Sequence, residues 1–116
     1  MGQYFIAVNK TRREYFTAWE IGGTAKLFEW CANRHAGVLA YLLRKSNETG
    51  GGDIDDPAIS PYAGLWAGDE VYLVGDYDSS QLYELAQREF RNIAKELVDE
   101  YNEFIQIPSC RLEYTP

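Results

Sequence analysis

An α+β fold, with two long helices packed on a mainly antiparallel sheet in the order β-β-α-β-α, is predicted for this chain by three observations. Two short segments near the start, apolar on both alternating faces, flank a polar turn. Two later stretches repeat apolar residues at three-to-four spacing. A short apolar run, Val71-Tyr72-Leu73-Val74, separates those stretches.

Gln3 to Asn9 sets Tyr4, Ile6 and Val8 on one face and Phe5 and Ala7 on the other. Glu14 to Ile21 alternates Tyr15, Thr17 and Trp19 against Phe16, Ala18 and Glu20. Both patterns are those of strands, and the five polar residues from Asn9 to Arg13 are of hairpin length. Gly22-Gly23-Thr24 ends the second strand and offers Thr24 as an N-cap. Leu27, Phe28, Cys31, His35, Val38, Leu39 and Leu42 then trace one helical stripe, with a break expected between Asn33 and Gly37. Ser46 to Gly64 holds Gly50-Gly51-Gly52, Pro57 and Pro61, a composition that sustains neither helix nor strand, so a long loop is expected with Trp66 as its anchor. The third strand follows, hairpinned onto Leu65-Trp66 through Gly68. Asp78 and Gln81 have capping-box spacing, and Leu82 to Ile105 reads as one helix of some six turns ending before Pro108. Cys110, Leu112 and Tyr114 alternate as an optional edge strand. All three main strands are apolar on both faces, so the sheet needs a helix on each side or a second copy of the chain over its open face.

The 116 residues, 46% of them apolar, suit a single domain spanning 1–116 with one hydrophobic core. No apolar run reaches the roughly 18 residues that a membrane span requires, and the first residues lack the pattern of a leader, so a cytoplasmic protein is expected. Cys31 and Cys110 are expected to be free, buried thiols. The net charge is −7, and its distribution is uneven. Ser46 to Gln87 contains Glu48, Asp53, Asp55, Asp56, Asp69, Glu70, Asp76, Asp78 and Glu84 with no Lys or Arg. A field of that sign repels phosphate backbones and attracts cations or basic protein surfaces, so direct nucleic-acid binding is not expected.

Four constellations bear on chemistry. Asp53, Asp55, Asp56, Asp69, Asp76 and Asp78 are the oxygen donors that Mg²⁺ or Ca²⁺ takes from loops. An EF-hand starting at Asp76 is excluded, because Gln81 replaces its glycine and Gln87 its final glutamate. The structural alternative is a solvated acidic surface for Asp53, Asp55 and Asp56, with turn and cap roles for the others. Gly50-Gly51-Gly52-Asp53 lacks the lysine and following helix of a phosphate loop, so turn glycines are the better reading. Cys31 and His35 stand one helical turn apart on the apolar stripe, where a packed thiol and a hydrogen-bonded histidine outweigh a zinc or nucleophile reading. Arg88, Arg91 and Lys95 alternate with acids on the last helix and read as a solvated face, while Lys10, Arg12 and Arg13 on the hairpin read as solvated turn residues, with an anionic partner or the acidic loop of another copy as the alternative.

Met1-Gly2-Gln3-Tyr4, Val8-Asn9, Arg13-Glu14-Tyr15, Ala25 to Trp30, Gly50-Gly51-Gly52-Asp53, Trp66-Ala67-Gly68-Asp69 and Leu73-Val74-Gly75-Asp76-Tyr77 together resemble a group of small uncharacterised prokaryotic and phage-type proteins. The resemblance implies an accessory protein of a mobile element and carries no activity, cofactor or catalytic residue with it.

The leading expectation is a small acidic interaction protein that presents Asp53, Asp55, Asp56, Trp66 and Asp69 to a basic protein surface, without a cofactor. A divalent-metal enzyme acting on phosphate esters is the first alternative, with Asp53, Asp55, Asp56, Asp69, Asp76 and Asp78 as ligands for Mg²⁺ or Ca²⁺. It requires those carboxylates to converge. An oligomeric structural protein, pairing with itself through the sheet, is the second.

Overall fold

In a computed structural model, which describes residues 2–54 and 60–116, the hairpin forms as its alternation predicts. β1 (Phe5–Asn9) and β2 (Glu14–Thr17) pair antiparallel, Ala7 opposite Phe16 and Val8 opposite Tyr15. β3 (Val71–Gly75) pairs antiparallel with the other side of β1, Ile6 opposite Val74 and Val8 opposite Tyr72. A two-residue strand, β4 (Arg91–Asn92), lies parallel to β2 and completes a sheet of order β3-β1-β2-β4. The fold is therefore α+β, with a mixed but mostly antiparallel sheet.

The two long helices expected from the apolar stripes are four shorter ones. α1 (Leu27–Ala32) begins after Lys26 instead of Thr24, and Glu29 Oε1 accepts the Lys26 backbone N–H at 3.0 Å. The break expected near Asn33 is present: Asn33 is extended (φ −108°, ψ 158°), Arg34–Ala36 form a 3-10 turn, and α2 (Gly37–Leu43) follows. Only Trp30 of α1 is buried. Leu27, Phe28 and Cys31 are exposed, Phe28 at 80%, so the expected continuous stripe does not run through α1 and Cys31 is no core thiol.

The larger departure lies between Leu82 and Ile105. α3 (Leu82–Glu89) stops at Phe90 (φ −93°, ψ 161°), β4 intervenes, and α4 (Ala94–Ile105) starts with the Asn92 side-chain carbonyl accepting the Ala94 N–H at 2.8 Å. Placement supplies the reason. Leu82 and Ala86 of α3 pack with Ile6, Val8, Tyr15 and Val74 on one face of the sheet. Ala94, Leu97, Val98 and Tyr101 of α4 pack with Ala7, Phe16, Trp30, Val38 and Leu42 on the other. One straight helix cannot serve opposite faces, and β4 is where the chain rounds the β2 side of the sheet. The Arg91 and Ile93 amides are satisfied there by the Arg13 and Tyr15 carbonyls at 2.9 and 3.0 Å. Each apolar sheet face is thus covered by helix within one chain.

Smaller corrections follow from local side-chain bonds. β2 ends at Thr17 and not at Ile21, because the Thr17 hydroxyl donates to Glu20 Oε1 at 2.8 Å and closes a 3-10 turn at Trp19–Ile21. The Asp78–Gln81 capping box does not form. Asp78 accepts instead from the Ser80 amide and hydroxyl, and Gln81 takes a left-handed φ of 60°. Leu65-Trp66 is not a strand but part of a run of turns. The last residues add no edge strand either: Pro108–Cys110 form a 3-10 turn, and both backbone groups of Leu112 are held by the Asn102 side chain.

Candidate functional site

Trp66 anchors the return of the long loop. Its ring is fully buried against Phe16 (ring centroids 5.6 Å apart), and its indole N–H donates to Glu14 Oε1 at 2.9 Å. Glu14, 5% exposed, also faces Arg12 at 3.2 Å and Arg91 at 3.4 Å, so the carboxylate ties the hairpin, the loop and β4 together. The preceding turn requires glycine at Gly64, where φ is +77° and a Cβ would lie 2.5 Å from the Arg44 carbonyl oxygen. The Gly64 and Trp66 amides donate to the Tyr41 and Leu42 carbonyls at 2.8 and 3.0 Å, which finishes α2 and seats the loop on it.

The acidic side chains take separate places. Asp53 forms a two-pronged ion pair with Arg44 (2.7 and 2.8 Å), whose guanidinium holds its carboxyl below the usual range. Arg44 also reaches the Glu48 carbonyl at 2.7 Å, so the loop is strapped to the end of α2. Beside the strap, Tyr41, Tyr101 and Phe104 line a cavity of about 260 Å³. Asp69 accepts from the side-chain amide of the fully buried Asn9 at 2.9 Å, and the Asn9 side-chain carbonyl in turn accepts the Arg12 N–H. Asp76 accepts the Tyr4 N–H at 2.9 Å, and Asp78 is held below its ordinary pKa by the Ser80 hydroxyl. Asp55 and Asp56 lie outside the described residues.

These carboxylates do not converge. Glu70 and Asp76 stand at opposite ends of β3, roughly 20 Å apart at strand rise. Among the described residues no three acidic, histidine or cysteine side chains group as a metal-binding set. What they do produce is an acidic rim around β3. Glu70 sits at its start, kept ionised by the Tyr72 hydroxyl (2.6 Å) and by Lys10 (3.6 Å), and Asp76 and Asp78 sit at its end. Between β3 and α3 runs a cleft of about 380 Å³ whose walls include Tyr72, Val74, Leu82 and Leu85, with Lys10 and Asp78 also on its lining. The sequence pointed to Asp53, Asp55, Asp56, Trp66 and Asp69 as the binding residues. The cleft was not legible, because it depends on which edge of β1 the third strand joins.

His35 is the second residue the sequence undersold. It is 1% exposed, wedged between the Trp30 ring (centroids 4.7 Å apart) and Gly23, where an added Cβ would lie 2.4 Å from the imidazole Nδ1. Neither ring nitrogen has a hydrogen-bond partner in good geometry among the described residues. Burial pushes its pKa down, against weaker upward pulls from the Thr24 backbone and Glu29. The helix break between Cys31 and His35 also separates them: the thiol faces solvent and the imidazole faces the core, so they do not form the shared face expected from their spacing.

No helix among the described residues is long and apolar enough to cross a membrane. Comparison with protein-family models, with curated proteins and with solved structures finds no match to this chain.

Proposed function

We propose that this is a small interaction protein that engages a basic surface on a partner through the acidic rim of β3. One observation carries the reading: Glu70, Asp76 and Asp78 project from the two ends of a single strand, each held by its own neighbour instead of by a shared cation site. Separated carboxylates of this kind set up an extended negative field, which favours a basic partner surface over one small cation. The loop carboxylate Asp53 is taken up by both prongs of Arg44 at 2.7 and 2.8 Å, a closer match than the single 3.6 Å contact of Glu70 with Lys10, so the weight of the site moves from the loop to β3.

Fluorescence anisotropy with a labelled oligolysine peptide tests this at low and at physiological salt. Binding is expected to weaken at least tenfold in a Glu70→Gln, Asp76→Asn, Asp78→Asn variant and to fall with salt. A variant carrying Glu100→Gln and Glu103→Gln on α4 should bind as the parent does. Equal loss in both variants, or none in the first, would refute the assignment of the surface.

A further inference from the structure

The register of β3 exposes more than charge. The Lys10 N–H donates to the Glu70 carbonyl and the Asp76 N–H to the Tyr4 carbonyl, both at 2.9 Å, just beyond the two ends of the β1–β3 ladder. Bonded pairs alternate along an antiparallel ladder, so Tyr72 and Val74 turn their amides and carbonyls toward Val8 and Ile6. The amides and carbonyls of Val71 and Leu73 therefore point away from the sheet. No hydrogen bond among the described residues reaches them.

Folded proteins protect such edges with short strands, charges or prolines. The opposite edge conforms: β4 is two residues long and carries Arg91. β3 does not. It is five residues long, Val-Tyr-Leu-Val-Gly, with no charge or proline inside it. Beside it runs the apolar cleft against Leu82 and Leu85 of α3, with the Tyr72 ring 46% exposed on the same sheet face.

We infer that β3 accepts an extended peptide segment of a basic partner as a fifth strand, with the segment's apolar side chains in the cleft beside α3. This rests on the reading of the acidic rim and names the partner's form. Main-chain bonds to Val71 and Leu73 supply a sequence-independent part of the affinity, and alternate side chains supply the choice. Charge decides the occupant. A second copy pairing antiparallel about Leu73 would set Glu70 of one chain opposite Asp76 of the other, at both ends of the new ladder, between two molecules that each carry −7. A segment with alternating apolar and Lys or Arg residues meets Glu70 at one end and Asp76 and Asp78 at the other.

The test uses four capped seven-residue peptides on the intact protein: alternating Lys-Val, the same peptide N-methylated on alternate residues in each of the two phases, and alternating Glu-Val. The expected result is salt-sensitive binding of the Lys-Val peptide. One phase of N-methylation should weaken it by about tenfold or more, and amide exchange at Val71 and Leu73 should slow in the complex. The Glu-Val peptide should not bind. Equal binding of the Lys-Val peptide and both methylated forms, with unchanged exchange at Val71 and Leu73, would overturn strand addition while leaving the acidic-rim reading standing. Absence of Lys-Val binding, or equal binding of Glu-Val, would overturn both. A concentration-dependent dimer that protects the same two amides without peptide would overturn the choice of occupant.

Discussion

Lowering the pH from about 7 to 5 should destabilise this protein through one side chain. His35 is the only histidine in the chain, and ordinary carboxylates, cysteines and lysines titrate outside that window. It is held buried and neutral between Trp30 and Gly23, with its pKa depressed by desolvation. Above the unfolded-state value of about 6.5 neither state takes up a proton, and His35 makes stability independent of pH. Below it the unfolded chain binds a proton that the native ring refuses. Stability then falls with pH, by at most about 1.4 kcal/mol per pH unit, until the native pKa is reached. The carboxylates with lowered pKa, Asp53, Glu70 and Asp78, weaken stability in the same direction but mainly below about pH 5. Urea denaturation across this range should show the slope in the parent and a nearly flat profile in His35→Leu, which keeps an apolar side chain in an apolar slot. The imidazole C2–H resonance supplies an independent readout that does not need the variant to fold. Parallel profiles for parent and variant, or a native imidazole titrating at or above about 6.5, would refute the reasoning.

Two further substitutions check the architecture around the loop. Trp66→Phe removes the donor to Glu14 and part of a fully buried ring, so urea denaturation should show a loss of about 2–4 kcal/mol. A loss below about 0.5 kcal/mol would mean that the Glu14 junction contributes little. Gly64→Ala combines a left-handed backbone with a backbone clash at the Arg44 carbonyl and should lose about 2 kcal/mol or more of stability. Gly51→Ala, in open space, should stay within about 0.5 kcal/mol of the parent, and equal effects at the two sites would refute the account of the turn.

The parts of the fold legible in the sequence were those set by neighbours in the chain. The β1–β2 hairpin followed from two short apolar segments around a polar turn, and a break between Asn33 and Gly37 from a glycine set in a helical stripe. The break at Phe90 was not legible. The apolar phase from Leu82 to Ile105 is helical on both sides of it, and only the position of β2 between two helical layers requires the chain to cross there. Leu27 and Phe28 misled for the complementary reason: periodicity marks a candidate apolar face but not whether anything packs against it. At the candidate site, the anchor role of Trp66 was readable from local context, whereas the Asp69 carboxylate, expected in a turn role, is held by Asn9 sixty residues earlier. The outward-facing amides of Val71 and Leu73 were not, because they depend on which strand lies on either side of β3.

The two-residue bridge of β4 also has a kinetic consequence. An unbroken helix from Leu82 to Ile105 could form from local contacts alone, on a timescale of about a microsecond. The bridge instead couples that region to a hairpin 77 residues earlier, where Arg91 meets Glu14. Closing so long a loop is entropically costly, and β4 has a strand to pair with only where β2 is already formed. During synthesis the first seventy residues would then leave the ribosome with the β1 face still lacking both β3 and α3. In chain order the sheet is laid down from its centre outward, and the five-residue edge it leaves open is that of β3.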